Sequence, residues 1–380
     1  MKKITYSLLL FTILIMTYSC DESPQEEKVE PVYSFLLGAY TDSEEQGIGL
    51  LTFNPDKNIL QTQVIATGVS NPSFVISNRA QTIVYAVEET AGENGGKVKS
   101  FKFDRQNNTL ELLDTKDTFG DHPCYLSLDA KEEFLVVGNY SGGSFSAYKI
   151  QDGILNHVQT YQHEGQSIDP ARQEKAHVHS TVFHPNGKQL LVGDLGTDKI
   201  HLYDFNPTYA VPFNNSDPGS MEVEAGAGPR HLAIHPSGSP VYLIHEMKAE
   251  LGVYNYEAGK MSKIQVLPLT SEDFIGNVGA AEVRISPDAK FVYASNRGDA
   301  NEIIVFETDK SGTLTFVERV KTGGENPRNF VITSDGKFLL VGNQSSGTIV
   351  AFKRNLKTGK LSKTGAETKF NKPVYFFRLD

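Results

Sequence analysis

The sequence predicts an all-β fold, a seven-bladed β-propeller closed by strands from both termini. Three observations predict it: a strand-like segment recurring about every 50 residues, period-2 alternation inside each copy, and incomplete units at the two ends. The recurring segments are Pro72-Ser-Phe-Val-Ile-Ser, Pro123-Cys-Tyr-Leu-Ser-Leu, Val178-His-Ser-Thr-Val-Phe, Pro229-Arg-His-Leu-Ala-Ile, Ala280-Ala-Glu-Val-Arg-Ile and Pro327-Arg-Asn-Phe-Val-Ile. Most reach a turn such as Pro185-Asn-Gly-Lys or Ser334-Asp-Gly-Lys. A second apolar strand follows, as in Ile83-Val-Tyr-Ala-Val, Phe134-Leu-Val-Val and Phe338-Leu-Leu-Val. A third closes most units, as in Ser144-Phe-Ser-Ala-Tyr and Thr348-Ile-Val-Ala-Phe. Tandem helical repeats would need a period of 3.6, which these segments lack. Trp is absent, so the repeat is not built on a Trp-Asp dipeptide.

The ends complete the count. Pro373-Val-Tyr-Phe-Phe begins a unit that stops before its second strand, while Tyr33-Ser-Phe-Leu-Leu and Gly47-Ile-Gly-Leu-Leu have no anchor segment before them. The two termini are therefore expected to share the last blade, which leaves no free edge in the ring. Leu60 to Ala66 fits an outermost strand. Glu164 to Ala176 and Pro207 to Gly226 break the rhythm and are expected to be long loops on one rim.

The N-terminus reads as an address. Lys2 and Lys3 precede an apolar stretch, Ile4 to Met16, too short for a stable membrane-spanning helix. Thr17-Tyr18-Ser19-Cys20 resembles a relaxed bacterial lipobox, with Cys20 lipidated. The alternative is a cleaved signal peptide with Cys20 incidental. Asp21 to Pro31 is acidic and Pro-flanked, and cannot build a core. The expected organisation is a signal peptide (1–19), a lipidated disordered tether (20–31) and one propeller (32–380). The chain is read as an exported monomer held to the membrane by its lipid anchor only, in the periplasm or at the outer membrane; a cytoplasmic location is the alternative.

Composition removes several functions. The net charge of -10 opposes a nucleic-acid partner, which needs a basic face. Two cysteines allow neither a disulfide framework nor a four-cysteine zinc site. Gly-Xaa-Ser-Xaa-Gly, a Gly-rich phosphate loop and the zinc-protease His-Glu-Xaa-Xaa-His spacing are absent. His177 and His179 lie two apart, but no third ligand stands at a fixed spacing, so no metal and no cofactor is expected. His184, His231 and His235 are read as turn or packing residues, and Cys124 as buried and inert.

Chemistry in a propeller gathers where strand ends meet at one mouth of the channel. The residue after each anchor forms one ring: Ser73, Cys124, His179, Arg230, Ala281, Arg328 and Val374. The end of each second strand forms another: Glu89, Tyr140, Leu195, Glu246, Arg297 and Gln344. Ionisable groups facing a shared cavity are costly unless they serve a ligand or each other. His179, Arg230, Glu246, Arg297 and Arg328 crowd into neighbouring units, so either a ligand site or a structural salt-bridge network is expected there.

At these residues the chain resembles the lactonase family of seven-bladed propellers, which includes propeller-type 6-phosphogluconolactonases and is related to carboxy-muconate cyclases. The matching segments are Arg172-Gln-Glu-Lys-Ala-His-Val-His-Ser, Asp194-Leu-Gly-Thr-Asp-Lys, Gly228-Pro-Arg-His-Leu-Ala-Ile-His-Pro, Glu246, Ser295-Asn-Arg and Asn326-Pro-Arg-Asn-Phe. The resemblance implies hydrolysis of a small lactone by catalytic Glu246, His179, Arg230 and Arg297, with Glu246 or His179 activating water. His177, a competitor for the histidine role, Arg328 and Glu89 are expected to bind substrate. An exported chain would meet a free aldonolactone rather than a phosphorylated one retained in the cytoplasm. A muconate-type cycloisomerase and a non-catalytic cell-envelope binding module are the alternatives.

Overall fold

A computed structural model describes Met1 and residues 31–379. The expected signal peptide, Cys20 and nearly all of the tether lie outside the described residues. Among the described residues, seven four-stranded antiparallel sheets stand as the blades of a propeller. The inner strands, in chain order, are Val75–Ser77, Pro123–Leu128, Val178–Phe183, Pro229–Ile234, Ala280–Ile285, Pro327–Ile332 and Pro373–Arg378; they define blades 1 to 7.

Burial follows each blade outward. Second strands such as Phe134–Asn139 and Phe338–Asn343 are buried at every position, as strands covered on both faces must be. Outermost strands such as Ile59–Thr67 and Thr109–Asp117 are mostly exposed. The turn after an inner strand is fixed by a polar side chain that accepts the next strand's N–H. Asp129 Oδ1 takes Phe134 N at 2.7 Å, Ser286 Oγ takes Phe291 N at 3.0 Å and Thr333 Oγ1 takes Phe338 N at 3.1 Å.

Apolar packing lies between blades. Each of the seven blade–blade interfaces has its own cluster; Phe35, Phe53 and Phe376 of blade 7, for example, pack on Phe338 and Leu340 of blade 6. Blade 7 unites the termini as expected: Pro373–Arg378 pairs with Tyr33–Ala39, with Phe35 opposite Arg378 and Leu37 opposite Phe376. Strands 47–54 and 59–67 complete it.

One expectation is corrected. Residues 164–176 carry no strand, but 207–226 is not a long loop, because Phe213–Glu222 is the outermost strand of blade 3. Its Asn-Asn-Ser-Asp-Pro-Gly run hid it. An edge strand faces water and can forgo ladder bonds, so polar residues and Pro218 are tolerated there. A register shift between His201 and Tyr203 absorbs the extra residues.

Candidate active site

Two repeated backbone devices build the rings. In blade 3, Val178 pairs with Asp194 and Ser180 with Gly193, which leaves His179 as the extra residue of a β-bulge. The same irregularity frees Cys124, the Arg230–His231 pair, the Ala281–Glu282 pair and Arg328. A bulge re-aims side chains, and here two successive residues turn toward the channel. The second ring is held by a backbone bond back to the residue before each anchor. Glu89 N donates to Asn71 O at 3.2 Å, Tyr140 N to His122 O at 2.9 Å and Leu195 N to His177 O at 2.9 Å. Glu246 N donates to Gly228 O at 2.8 Å, Arg297 N to Gly279 O at 3.1 Å and Gln344 N to Asn326 O at 2.9 Å.

Glu246 is the hub. Arg172 reaches its Oε1 at 2.7 Å, and Arg230 and Arg297 reach Oε2 at 2.8 and 3.1 Å. Arg230 Nε lies off the hydrogen-bonding direction, so that contact is an ion pair without a formal hydrogen bond. His179 Nε2 stands 3.9 Å from the same oxygen, beyond hydrogen-bond reach. Burial alone would raise the Glu246 pKa, but Arg297, Arg230 and Arg172 outweigh it and hold the carboxyl well below its ordinary range. Burial, then Arg230 and His231, push His179 well below the usual imidazole range, so it is neutral. Burial, then Arg328 and Arg297, lower Arg230 to about 10.

The other predicted residues flank this hub. His177 stacks on Tyr140 at 4.6 Å, with its ring nitrogens 3.1 Å from Tyr140 O and 3.2 Å from Glu174 Oε2. His179 therefore faces Glu246, and His177 is committed to the 164–176 loop. Glu89 accepts the Tyr40 hydroxyl at 2.9 Å, and the Arg328 guanidinium lies 5.6 Å from the Tyr40 ring centroid. Leu195, a ring position, is fully buried core. Cys124 is buried, its Sγ 3.8 Å from His179 Nδ1, and burial drives the thiol pKa far up.

A second layer lies one residue further along the inner strands. Phe74 stacks on Tyr375 at 3.7 Å and packs on Tyr125 at 4.4 Å. His231 Nδ1 lies 3.1 Å from Glu282 Oε2, which also takes the Asn329 amide, while Arg284 Nε is 3.3 Å from Oε1. Burial raises the Glu282 pKa against Arg284. The sequence placed His231 among turn or packing residues; it packs on the Tyr125 ring at 5.1 Å, and the bulge turns it inward to do so.

Among the described residues one group has metal-ligand geometry: His163, Asp194 and His201. His163 Nδ1 is 2.8 Å from Asp194 and its Nε2 is 2.8 Å from the Tyr203 hydroxyl. Asp194 Oδ1 also accepts His177 N at 2.8 Å. Both His163 nitrogens are thus spent within the fold, and the group fastens blade 3 beneath His177.

The hub opens into a cleft of about 580 Å³, lined by Arg172, Glu246 and Arg297 at its floor and by the 277–279, 298–301 and 325–326 segments at its rim. Sequence reasoning missed Arg172 as a site residue. It sits in an irregular loop with no repeat position, and only its place in the Arg172–Ser180 segment could have signalled it. Such an arrangement can hold a small polar molecule, stabilise negative charge and accept a proton at His179.

Comparisons with known proteins show the family of this fold. The family model described as Lactonase, 7-bladed beta-propeller, matches residues 34–377. A Bacillus subtilis protein named 6-phosphogluconolactonase is 33% identical over 335 residues, covering 87% of this chain and 93% of its own. A Formosa agariphila protein of the same name is 32% identical over 340 residues, covering 88% and 96%. The solved structure of a Pseudomonas aeruginosa periplasmic gluconolactonase aligns with TM-score 0.87 and 32% identity, covering 92% of this chain and 99% of that one. From the repeat, the closed ring and these matches, the chain belongs to the lactonase family of seven-bladed β-propellers.

Proposed function

We propose that this chain is a lactone hydrolase that opens a sugar lactone to its acid at the Glu246 cluster. The observation that carries the reading is one carboxylate clamped by three guanidinium groups, opposite a neutral imidazole whose Nε2 is uncommitted. Three arginines make Glu246 a poor base. His179 is the better one: its Nε2 takes a proton from water as the water oxygen attacks the lactone carbonyl carbon. Arg230 and Arg297 stabilise the carbonyl oxygen as it becomes an oxyanion. The ring C–O bond then breaks, and the ring oxygen leaves with the proton returned by the imidazolium. Glu246 fixes both arginines and balances the imidazolium charge while it exists. His177, Arg328 and Glu89 bound the substrate space.

The decisive test is hydrolysis of gluconolactone, its 6-phosphate and muconolactones by the purified propeller, measured against the spontaneous rate. Isomerisation of a muconolactone without hydrolysis would favour the cycloisomerase. Binding without turnover would favour an envelope binding module.

We further propose that the chain works as a monomer outside the inner membrane, tethered through lipidated Cys20. The Lys2–Lys3 start, the apolar stretch and the lipobox support this, as does the likeness to a periplasmic protein. Cys20→Ser should release the protein into the soluble fraction, because attachment rests on acyl chains. Soluble cytoplasmic wild-type protein with its leader intact would overturn the proposal.

A further inference from the structure

Charge changes sign between the floor and the rim of the cleft. At the floor, Arg172, Arg230 and Arg297 share the single carboxylate of Glu246, and Arg328 stands near Glu89 across the Tyr40 ring. Guanidinium groups outnumber carboxylates there. That surplus suits the one negative charge that a tetrahedral oxyanion, and then the product carboxylate, brings in.

The rim is different. Its polar lining is Asn277, Asp299, Asn301, Glu325, Asn326 and Ser345. Two carboxylates stand here without a lining cation of their own: among the described residues, the cations lining the cleft are Arg172 and Arg297, both paired with Glu246. The rim is also preorganised. Asp299 Oδ2 accepts Asn277 N at 2.6 Å, Asn301 Oδ1 accepts Asn326 N at 2.7 Å, and Asn326 Nδ2 donates to Ser345 Oγ at 3.2 Å. Amides and a hydroxyl can both donate to and accept from sugar hydroxyls, and carboxylates accept from them. A phosphate dianion in the same place would meet two like charges and no guanidinium fork.

Resting on the lactonase reading, we infer that the rim is the subsite for the uncharged, hydroxyl-bearing tail of a sugar lactone, and that Asp299 and Glu325 discriminate against a phosphate ester on that tail. The lactone carbonyl then points down to Arg230 and Arg297, and the tail points out to the rim.

The test compares kcat/KM for gluconolactone and its 6-phosphate. Wild type should prefer the neutral lactone by about tenfold or more at low salt, and the preference should shrink as salt screens the rim. Glu325→Lys and Asp299→Asn should each narrow the ratio, chiefly by lowering KM for the phosphate ester. A wild-type preference for the 6-phosphate, or a ratio unmoved by both substitutions, overturns the inference while leaving lactone hydrolysis standing. Inactivity toward both lactones brings down the lactonase reading itself, and this inference with it.

Discussion

Two consecutive layers of the same channel, one residue apart on the inner strands, put charge to different uses. The first contains His179, Arg230 and Arg328, with Glu246 and Arg297 from the second ring, and its hub opens into the cleft. The next contains Phe74, Tyr125 and Tyr375 in ring contact, beside His231, Glu282 and Asn329 bonded to one another. In the first layer positive groups exceed their partners and a histidine nitrogen stays uncommitted. In the second, aromatic rings fill space and one carboxylate, Glu282, is shared by His231, Asn329 and Arg284, although His231 Nε2 is left without a partner. Surplus charge beside a cleft is charge that a bound anion would offset, whereas charge shared within a packed layer is offset by the fold itself.

Removing the chain from Pro373 onward attacks both layers and should have the largest effect. It takes Tyr375 from the aromatic cluster and leaves Tyr33–Ala39 without its inner partner. The cooperative melting transition should drop by about 10 °C or more, or vanish, in a circular dichroism melt. An unchanged melting temperature would refute the shared-blade closure. Arg230→Ala comes next. Arg230 is almost wholly buried, pairs with Glu246 and donates to the Ala281 carbonyl. Its loss should cost about 3–5 kcal/mol, as breaking a buried pair does, and should lower both binding and turnover.

His179→Gln separates chemistry from stability. Turnover should fall roughly 10²–10⁴-fold, the usual worth of a general base, while the melting temperature stays close to wild type. If Glu246→Gln loses more turnover than His179→Gln at equal stability, the base assignment is reversed. The pH profile sharpens the same point. Because burial, Arg230 and His231 lower the His179 pKa, the ring stays deprotonated as pH falls through 6.5 and is protonated only further down. The acid limb of kcat/KM should therefore lie well below pH 6.5; a limb at or above that value would exclude His179 as the base. The smallest effect belongs to the second layer. Glu282→Gln keeps shape and one acceptor for His231 or Asn329, so it should cost about 1–2 kcal/mol and change kcat less than twofold in a steady-state assay.

Much of this was legible because the propeller is periodic. Residues after each anchor and at each second-strand end were found by counting, and five of those positions converge as the counting implied. The second layer was not legible. Strict alternation sends the residue after Arg230 to the opposite face, and only the bulge, a backbone event without a residue signature here, brings His231 and Glu282 inward. Arg172 escaped because irregular loops have no register to count. Phe213–Glu222 escaped because an exposed edge strand need not look apolar. The choice between His177 and His179 needed distances: two residues apart on one segment, they differ in whether their nitrogens are already taken.

The shared last blade also sets an order in time. Synthesis runs from the N-terminus, so Tyr33–Ala39 emerges early, yet its inner partner, Pro373–Arg378, is made hundreds of residues later. Until then the first-made strands have one open side and the ring cannot close. Ribosomal stalling or premature termination anywhere before Pro373 therefore yields an open arc, recognisable to a protease by its unpaired edge. Were the chain exported as proposed, that delay would keep it threadable through a translocation pore until Pro373–Arg378 has been made.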